Sequence, residues 1–354
     1  MLPALFILTT VVAAMLILLW NRLPVWFAKP LQTVRVSDLG LHATGDDIQL
    51  VEDVIGFLKR GVEARLGHRH GAWLEACATA SPRWRPFVVE GAAFGCGAIR
   101  ATYSRQWRNM PSELTTLYPN YATPGHMGIG LWGAMRFGRE FDEFLRVVDQ
   151  YDAWHRYACL DGYGFKFGLF DFVRDRRSVS HLHAIPGYYR RAAFCGVGRA
   201  LYLAFLSDRR GFIEAAGDFA PQHDGDVIEG AAFAAAYTHP DDPRRAIRFV
   251  RAMPYEWRTH AHLGLTLGLR ARATIDAAYH ETCIATLPGA WRESIRGAIA
   301  MADELEQRIR SEHADGGYGL WRDKLAERLQ DERLWEVVYV DGLETRSDGE
   351  GAVR

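Results

Sequence analysis

The chain has 354 residues, of which 49% are hydrophobic, 12% aromatic and 24% charged. This is the composition of a folded globular protein that is long enough to bury a sizeable core. The formal net charge is −1, so no overall field attracts nucleic acid, and we expect no nucleic-acid partner. Five cysteines without a Cys-x-x-Cys pair predict buried free thiols instead of a disulfide framework.

The first predicted element is a transmembrane anchor at 1–21. The run from Leu2 to Trp20 carries no charge and would form a helix of about 28 Å, close to the roughly 30 Å of a bilayer's hydrocarbon core. No basic side chain precedes this run, whereas Arg22, Lys29 and Arg35 follow it, and the positive-inside rule places such flanks in the cytoplasm. We predict a single-pass protein of the inner (cytoplasmic) membrane that contacts the lipid bilayer through Leu2–Trp20, with its C-terminal domain in the cytoplasm.

The rest of the chain divides into five predicted segments. After a juxtamembrane linker at 22–45, apolar residues spaced three and four apart predict an N-terminal helical cap at 46–80. An α/α repeat domain follows at 81–312, then a C-terminal helical cap at 313–340. The last segment, 341–354, ends in the polar sequence TRSDGEGAVR, which predicts a flexible tail.

Two nearly identical segments, VVEGAAF at 88–94 and VIEGAAF at 227–233, lie 139 residues apart. Glycines in similar apolar surroundings recur at intervals of 37, 34, 34, 34, 34 and 33 residues: Gly91, Gly128, Gly162, Gly196, Gly230, Gly264 and Gly297. A period near 34 residues is the size of a two-helix repeat. These runs contain more Ala and Gly than β-branched residues, which disfavours strands. We therefore predict an all-α array of about seven helix-pair repeats, in which small residues let neighbouring helices cross closely.

The residue before the repeat glycine is acidic in the first, third and fifth repeats: Glu90, Asp161 and Glu229. Because equivalent positions of a helical array can share one surface, these carboxylates are our candidate catalytic groups, as acid, base or cation ligand. The alternative is that each caps a helix or binds a backbone amide at a helix start. From the spacing alone we favour helix capping, since spacing does not show that the three side chains converge.

Candidate substrate-binding residues lie on or near the same glycine-rich segments: His126, Tyr163, Lys166, Arg191, Phe94 and Phe233. Most aromatic side chains of this region should be core, but some could line an apolar tunnel between helices. Lys166 lies in so apolar a stretch that it needs a partner, unless its amine reaches the surface.

The chain lacks the common metal and phosphate motifs. His260 and His262 fall in a predicted helix, where residues two apart point in different directions and cannot bind one ion together. Two further His-x-His pairs lie in predicted loops, where zinc is conceivable. No His-Glu-x-x-His, Walker or Gly-x-Ser-x-Gly pattern occurs. We assign no metal ligands, and the sequence does not identify a cofactor.

Five segments in order resemble an uncharacterised bacterial family: FVVEGAAFGCGA, LDGYGFKFGLF, GYYRRAAFCGVGRALYLAF, VIEGAAFAAAY and HLGLTLGLRARA. Genes of that family commonly lie beside enediyne polyketide synthases and in other natural-product clusters. The resemblance implies a role in handling a long, hydrophobic, unsaturated intermediate. Members often have His-Glu where this chain has Lys166-Phe167, and Phe-Asp-Gln-Gly where it has Phe194-Cys195-Gly196, which puts any family chemistry at those places in doubt here.

Two functions are therefore open. The first is a membrane-anchored enzyme or accessory protein that acts on a hydrophobic polyene or isoprenoid in an apolar pocket, with the anchor placing that pocket beside the lipid. The second is a non-catalytic repeat scaffold that tethers biosynthetic enzymes at the membrane. The first predicts a hydrophobic small molecule as partner, and the second a biosynthetic protein.

Overall fold

The computed structural model describes residues 24–26, 28–67, 71–103, 119–219, 222–313 and 317–340. Within these ranges the regular structure is helical and contains no strand, which confirms the all-α prediction. The predicted anchor at 1–21 and the predicted tail at 341–354 lie outside the described residues. In the described part, no helix has the length and apolar character needed to cross a bilayer.

Longer and shorter helices alternate along most of the chain. In chain order the α-helices are α1 (Asp46–Leu66), α2 (Ala72–Thr79), α3 (Arg85–Tyr103), α4 (Ala122–Phe137), α5 (Phe141–Val148), α6 (Arg156–Lys166), α7 (Gly187–Ala204), α8 (Arg209–Gly217), α9 (Asp224–Thr238), α10 (Pro243–Arg251), α11 (Arg258–Ile275), α12 (Ala277–Ile284), α13 (Gly289–Glu312) and α14 (Tyr318–Asp331). A π-helical segment, Phe167–Phe172, continues α6, and 3-10 segments occur at Val36–Leu39, Pro119–Tyr121, Arg176–Ala184, Tyr255–Trp257 and Glu336–Tyr339.

The longer helices α1, α3, α4, α6, α7, α9 and α11 pack one against the next in this order, and we call them the stacked helices. Each short helix α2, α5, α8, α10 and α12 packs beside the stacked helix that precedes it. The short helices are amphipathic: α10 buries Ala246, Ile247 and Val250 and carries Arg248 and Arg251 in its last turn. The stacked helices are apolar on most sides because they are covered on most sides.

Glycine allows the stacked helices to approach closely. A β-carbon added to Gly128 on α4 would overlap the carbonyl oxygen of Glu90 on α3. At Gly162, Gly196, Gly230 and Gly264, an added β-carbon would likewise overlap a carbonyl oxygen of the preceding stacked helix. In each case that carbonyl belongs to the residue just before the repeat glycine of the preceding helix. The predicted close crossing of helices at these glycines is thereby confirmed, since no larger residue fits there without a backbone shift. Gly297 on α13 differs, because a β-carbon there would meet Leu334 at an ordinary 3.6 Å.

The last stacked helix, α11, reaches back to the start of the second one, α3. Arg272, near the end of α11, is buried and donates hydrogen bonds to the carbonyl oxygens of Tyr237 (2.6 Å) and Arg83 (3.0 Å), the latter just ahead of α3. The ring of Tyr237 packs edge-on against Phe87 on α3, with ring centroids 5.6 Å apart. The stack therefore closes on itself, and polar side chains from its helices meet in the interior.

Candidate functional site

Glu90, Asp161 and Glu229 are each the sixth residue of their helix, on α3, α6 and α9. The free backbone amides of a helix belong to its first four residues, so these carboxylates are one turn too far along to cap it. The helix-capping interpretation is wrong. All three side chains are buried and face arginines instead.

Arg199 on α7 holds two of the three carboxylates. Its guanidinium is paired with Asp161 and lies 3.6 Å from Glu90, which is beyond hydrogen-bond length. Neither carboxyl oxygen of Glu90 has a hydrogen-bond partner among the described residues. Burial raises the pKa of Glu90 to about 7, although Arg199 opposes the shift. Burial likewise raises the pKa of Asp161, against the lowering effect of Arg199. One guanidinium thus serves two carboxyl groups, and burial raises the pKa of both.

The third carboxylate is held from outside the stack. Arg322 on α14 is paired with Glu229, donates to the Cys195 sulfur at 3.2 Å and lies 4.0 Å from Asp226. Cys195, Asp226 and Glu229 each offer one metal-ligand atom, and these three atoms lie within 4.8 Å of one another, a spacing that could hold a metal ion. The Arg322 guanidinium contacts all three and supplies the positive charge of this cluster. Burial raises the pKa of the Cys195 thiol well above its ordinary value, so the sulfur is neutral.

Arg191, a predicted substrate-binding residue, fixes α14 in place. Its guanidinium binds Asp226 on α9 at 2.8 Å and Asp323 on α14 at 2.9 Å. Burial alone would raise the pKa of Asp226, but the nearby His223, 3.7 Å away, and the charges of Arg322 and Arg191 lower it. Arg191 therefore joins α9 to α14 beside the site, and it does not line the neighbouring cavity.

We call Arg199 with Glu90 and Asp161, and Arg322 with Cys195, Asp226 and Glu229, the two arginine clusters. A cavity of about 220 Å³ adjoins both of them. Its polar lining includes Asp161, Cys195, Glu229 and Arg322. Its aromatic lining consists of Trp154, Tyr157, Phe233, Tyr318 and Trp321. Tyr157 and Tyr318 stack with ring centroids 4.4 Å apart. A cavity with large aromatic surfaces and a few convergent polar groups is the usual form of a small-molecule site.

Charged residues surround the outer part of this cavity. The guanidinium of Arg310 lies 4.2 Å above the ring of Trp154, and that of Arg270 lies 5.1 Å from the ring of Trp321. Both arginines are paired with Glu306. The 3-10 segment at Pro119–Tyr121 contributes the exposed Pro119 and Asn120. The cavity therefore reaches solvent between this segment and the arginines.

The family model described as "Protein of unknown function (DUF1702)" matches residues 24–329. The chain belongs to the DUF1702 family. The matched range includes the stacked helices, both arginine clusters and α14 to within two residues of its end. The predicted membership of an uncharacterised family is thereby confirmed. No curated protein and no solved structure matched the chain.

Of the six predicted substrate-binding residues, Phe233 is the one that the described cavity lining includes. His126 lies one layer behind, buried and stacked on His155, which does line the cavity, with ring centroids 4.6 Å apart. Burial lowers the pKa of His126 to about 3, helped by the neighbouring His155. His126 is therefore a neutral support for the cavity.

Tyr163, Lys166 and Phe94 lie elsewhere. The Tyr163 hydroxyl donates to the carbonyl of Gly138 at 2.7 Å. Lys166 is paired with Asp171 at 2.7 Å, which supplies the partner that its apolar surroundings require. Phe94 is fully buried within the stack. These contacts stabilise the fold at a distance from the cavity.

Two central residues, Arg199 and Arg322, were missed by sequence reasoning. Arg199 is the single charged residue between Ala192 and Leu206, and the argument that singled out Lys166 applies to it equally. Arg322 gives no comparable signal, because its neighbours in the sequence are mixed polar and aromatic. Its role depends on where α14 packs.

Proposed function

We propose that the protein binds and transforms a hydrophobic, unsaturated molecule, a polyene or an isoprenoid, within natural-product metabolism. The observation that carries this proposal is the set of five aromatic side chains that share one cavity with Asp161 and Glu229. Aromatic surfaces favour an apolar, unsaturated ligand, and the buried carboxylates supply groups that can exchange a proton with it.

The size of the cavity limits what enters it. At about 220 Å³ it is smaller than the roughly 300–1,000 Å³ typical of pockets that enclose a whole drug-sized ligand. A long substrate would therefore place one end beside Asp161 and Glu229. The rest of the molecule would leave between the Pro119–Tyr121 segment and the arginines Arg270 and Arg310.

The three carboxyl groups have different roles in this proposal. Asp161 lines the cavity, and its raised pKa suits a general acid or base. Glu90 lies behind it and shares Arg199, so the charge on Glu90 determines how strongly Arg199 holds Asp161. Glu229 forms a fixed ion pair with Arg322 and orients polar or developing charge on the ligand.

Metabolite profiling of the producing organism tests this assignment. Asp161→Asn and Glu229→Gln should each abolish the product and accumulate its precursor, while the protein remains folded and abundant. Asp171→Asn, which alters the Lys166 pair outside the cavity, is the matched control and should leave the product unchanged. Full product from the combined Glu90→Gln, Asp161→Asn and Glu229→Gln variant would rule out chemistry at this site.

We also propose a repeat architecture for the helical domain and a single-pass membrane anchor ahead of it. Equivalent glycine contacts on successive stacked helices support a repeat with a period near 34 residues. The uncharged run at 2–20 supports a single-pass anchor with the domain in the cytoplasm. Protease added outside intact cells should leave the domain uncut, and recovery of a processed, soluble periplasmic protein would contradict the anchor.

The scaffold hypothesis predicts a different result. A biosynthetic enzyme should then co-purify after detergent extraction, and loss of the three carboxylates should leave function intact. The enclosed aromatic cavity favours the first hypothesis, since a scaffold binds partners through an extended outer surface.

A further inference from the structure

A histidine in the lining of the cavity is paired with an aspartate of the loop ahead of α6. Nδ1 of His155 lies 3.0 Å from Oδ1 of Asp152. The backbone amide of Trp154 donates to the same carboxylate oxygen at 3.1 Å and so holds Asp152 in place. A carboxylate beside Nδ1 favours the histidine tautomer that carries its proton on this nitrogen. The other ring nitrogen, Nε2, then has the lone pair and can accept a proton.

The ring of His155 is supported on one face by His126 of α4. The two rings stack with their centroids 4.6 Å apart and 13° between their planes. Nδ1 of His126 lies 2.7 Å from the carbonyl oxygen of Ala122, and a carbonyl oxygen only accepts, so this nitrogen carries the proton. Burial lowers the pKa of His126 to about 3. His155 is therefore held in one plane by an uncharged ring.

His155 is more accessible than the histidine behind it. Its side chain is 26% exposed, so it can contact a ligand in the cavity and also exchange protons with water. The charged groups that face it are Asp152 on its own loop and, from α13, Arg310 and Glu306. Burial lowers the pKa of His155; Asp152 opposes this shift, and Arg310 adds to it. The resulting pKa lies below the ordinary 6.5, so the ring is neutral at pH 7 and can act as a base.

A group that can hold a proton lies further along the same helix. Asp161 follows His155 by six residues, about 9 Å along the axis, and both line the cavity. Asp161 and Glu90 share the guanidinium of Arg199. One positive charge balances one carboxylate, so this cluster is electrically neutral when the other carboxyl group carries a proton. Of the two, Asp161 is the one among the lining residues of the cavity.

We propose that the protein rearranges its ligand by adding one proton from Asp161 and removing another with Nε2 of His155. This inference rests on the proposed function. A π-electron pair of the ligand forms a C–H bond with the proton of Asp161, which leaves a carbocation. The aromatic faces of Tyr157, Phe233 and Tyr318 in the cavity lining stabilise that positive charge. Nε2 then takes a proton from a neighbouring carbon, and the electron pair of the broken C–H bond forms a new double bond.

The product of this sequence is an isomer of the precursor. The ligand gains one proton and loses one, so the step consumes no oxidant, reductant or second substrate. Asp161 is left as a carboxylate and His155 as a cation, which the carboxylate of Asp152 stabilises. The exposed edge of His155 releases its proton to water, and Asp161 regains one through the cavity after the product leaves.

The precursor that accumulates in the Asp161→Asn strain is the probe for this reaction. Given to the purified, full-length wild-type protein in detergent, it should yield a product of unchanged mass, and in D₂O a product heavier by one deuterium. His155→Gln should lower turnover by about 100-fold or more. His42→Gln is the matched control, because His42 also has an aspartate near Nδ1, Asp208 at 3.6 Å, but lies outside the cavity lining. It should turn over at the wild-type rate.

Two further variants separate a base from a structural residue. Turnover requires neutral His155, so it should fall as the pH drops through the pKa of this ring. Asp152 raises that pKa, and Asp152→Asn should therefore move the fall to lower pH. Added imidazole should restore part of the turnover of His155→Ala. An unchanged pH profile in Asp152→Asn, or wild-type turnover in His155→Gln, would overturn the role of His155.

Failure of the rearrangement and failure of the proposed function look different. A product whose mass differs from that of the precursor in H₂O, or one without deuterium in D₂O, would overturn the rearrangement and leave the proposed function standing. A strain with Asp161→Asn that accumulates no precursor would overturn the proposed function, and this inference with it.

Discussion

The two copies of Glu-Gly-Ala-Ala-Phe have the same backbone setting and different chemical surroundings. Gly91 and Gly230 each press against a carbonyl of the preceding stacked helix, from Leu58 and Cys195 respectively. Yet Glu90 has no hydrogen-bond partner among the described residues, whereas Glu229 is paired with a guanidinium beside a cavity. The phenylalanines differ as well, since Phe94 is enclosed in the stack and Phe233 lines the cavity.

The difference arises from one helix that lies outside the stack. Over the second copy, α14 contributes Tyr318, Trp321 and Arg322, while the first copy is covered by its own neighbours in the stack. The repeated backbone contacts therefore fix where each carboxylate lies. The α14 helix then determines which carboxylate faces a ligand.

Removing the cation of the second copy should have the largest effect. Arg322→Met leaves Glu229 buried without a positive partner, which costs about 3–5 kcal/mol of unfolding free energy. Urea denaturation measures this loss. Adding Glu229→Gln to Arg322→Met should restore part of the stability, because the stranded charge is then gone. A single Arg322→Met variant as stable as wild type would show that α14 does not hold the cluster.

The backbone equivalence of the two copies can be broken directly. Gly91→Ala and Gly230→Ala each place a β-carbon against a carbonyl oxygen. Each variant should therefore lose about 3 kcal/mol of unfolding free energy through overpacking. Gly56→Ala on α1 is the control, since a β-carbon there meets nothing within 4 Å and should stabilise by up to about 1 kcal/mol. Unequal losses at Gly91 and Gly230 would contradict equivalent packing.

The buried carboxyl group of the first copy, which accepts no hydrogen bond from the described residues, should make stability depend on pH. The folded-state pKa of Glu90, about 7, lies above its ordinary value of 4.5, so the folded protein binds more protons than the unfolded chain between these pH values. This contribution is fully present below about pH 4.5 and is lost as the pH rises through 7. Glu90→Gln should remove a decline on the order of 3 kcal/mol from the pH profile of unfolding.

The control for that profile is Glu293→Gln, at an exposed position on α13. It should leave the shape of the curve unchanged. Identical slopes for wild type and Glu90→Gln between pH 4.5 and 7 would contradict a raised pKa at Glu90.

The smallest expected effect is a difference in stability loss between substitutions of the two phenylalanines. Phe94→Leu should cost about 1 kcal/mol of stability, because it leaves a void in close-packed core. Phe233→Leu should cost less, because one side of its ring already faces the cavity, but it should weaken binding of an apolar ligand. Calorimetric unfolding and a ligand-binding titration on both variants check this split. A larger stability loss at Phe233 than at Phe94 would place it in the core.

Sequence reasoning was sufficient for the packing and insufficient for the site. The small residues at Gly128 and its equivalents predict close helix crossing because only close crossing offsets the cost of glycine in a helix. The spacing also placed Glu90, Asp161 and Glu229 at equivalent positions. Spacing does not reveal whether a stack closes, so their convergence and their lack of a capping role required the structure.

Other parts of the site depend on contacts between residues far apart in the chain. Arg322 meets Glu229 across 93 residues, and no local pattern predicts that pair. Tyr163 and Phe165 are as aromatic as Tyr157, and their positions relative to the cavity follow from helix rotation, which composition does not encode. Gly297 fits the regular spacing of the glycines but makes no close helix contact. Regular spacing alone therefore does not establish a close helix crossing.

Native mass spectrometry of the detergent-extracted, full-length protein tests the central claim, a hydrophobic ligand in the aromatic cavity, most directly. Ala158 lines the cavity and Ala64 on α1 does not, and both are partly buried, so Ala158→Phe and Ala64→Phe form a matched pair. We predict a small hydrophobic molecule bound to the wild type and to Ala64→Phe, and its loss from Ala158→Phe. A wild-type protein that carries a biosynthetic enzyme and no small molecule would contradict the account.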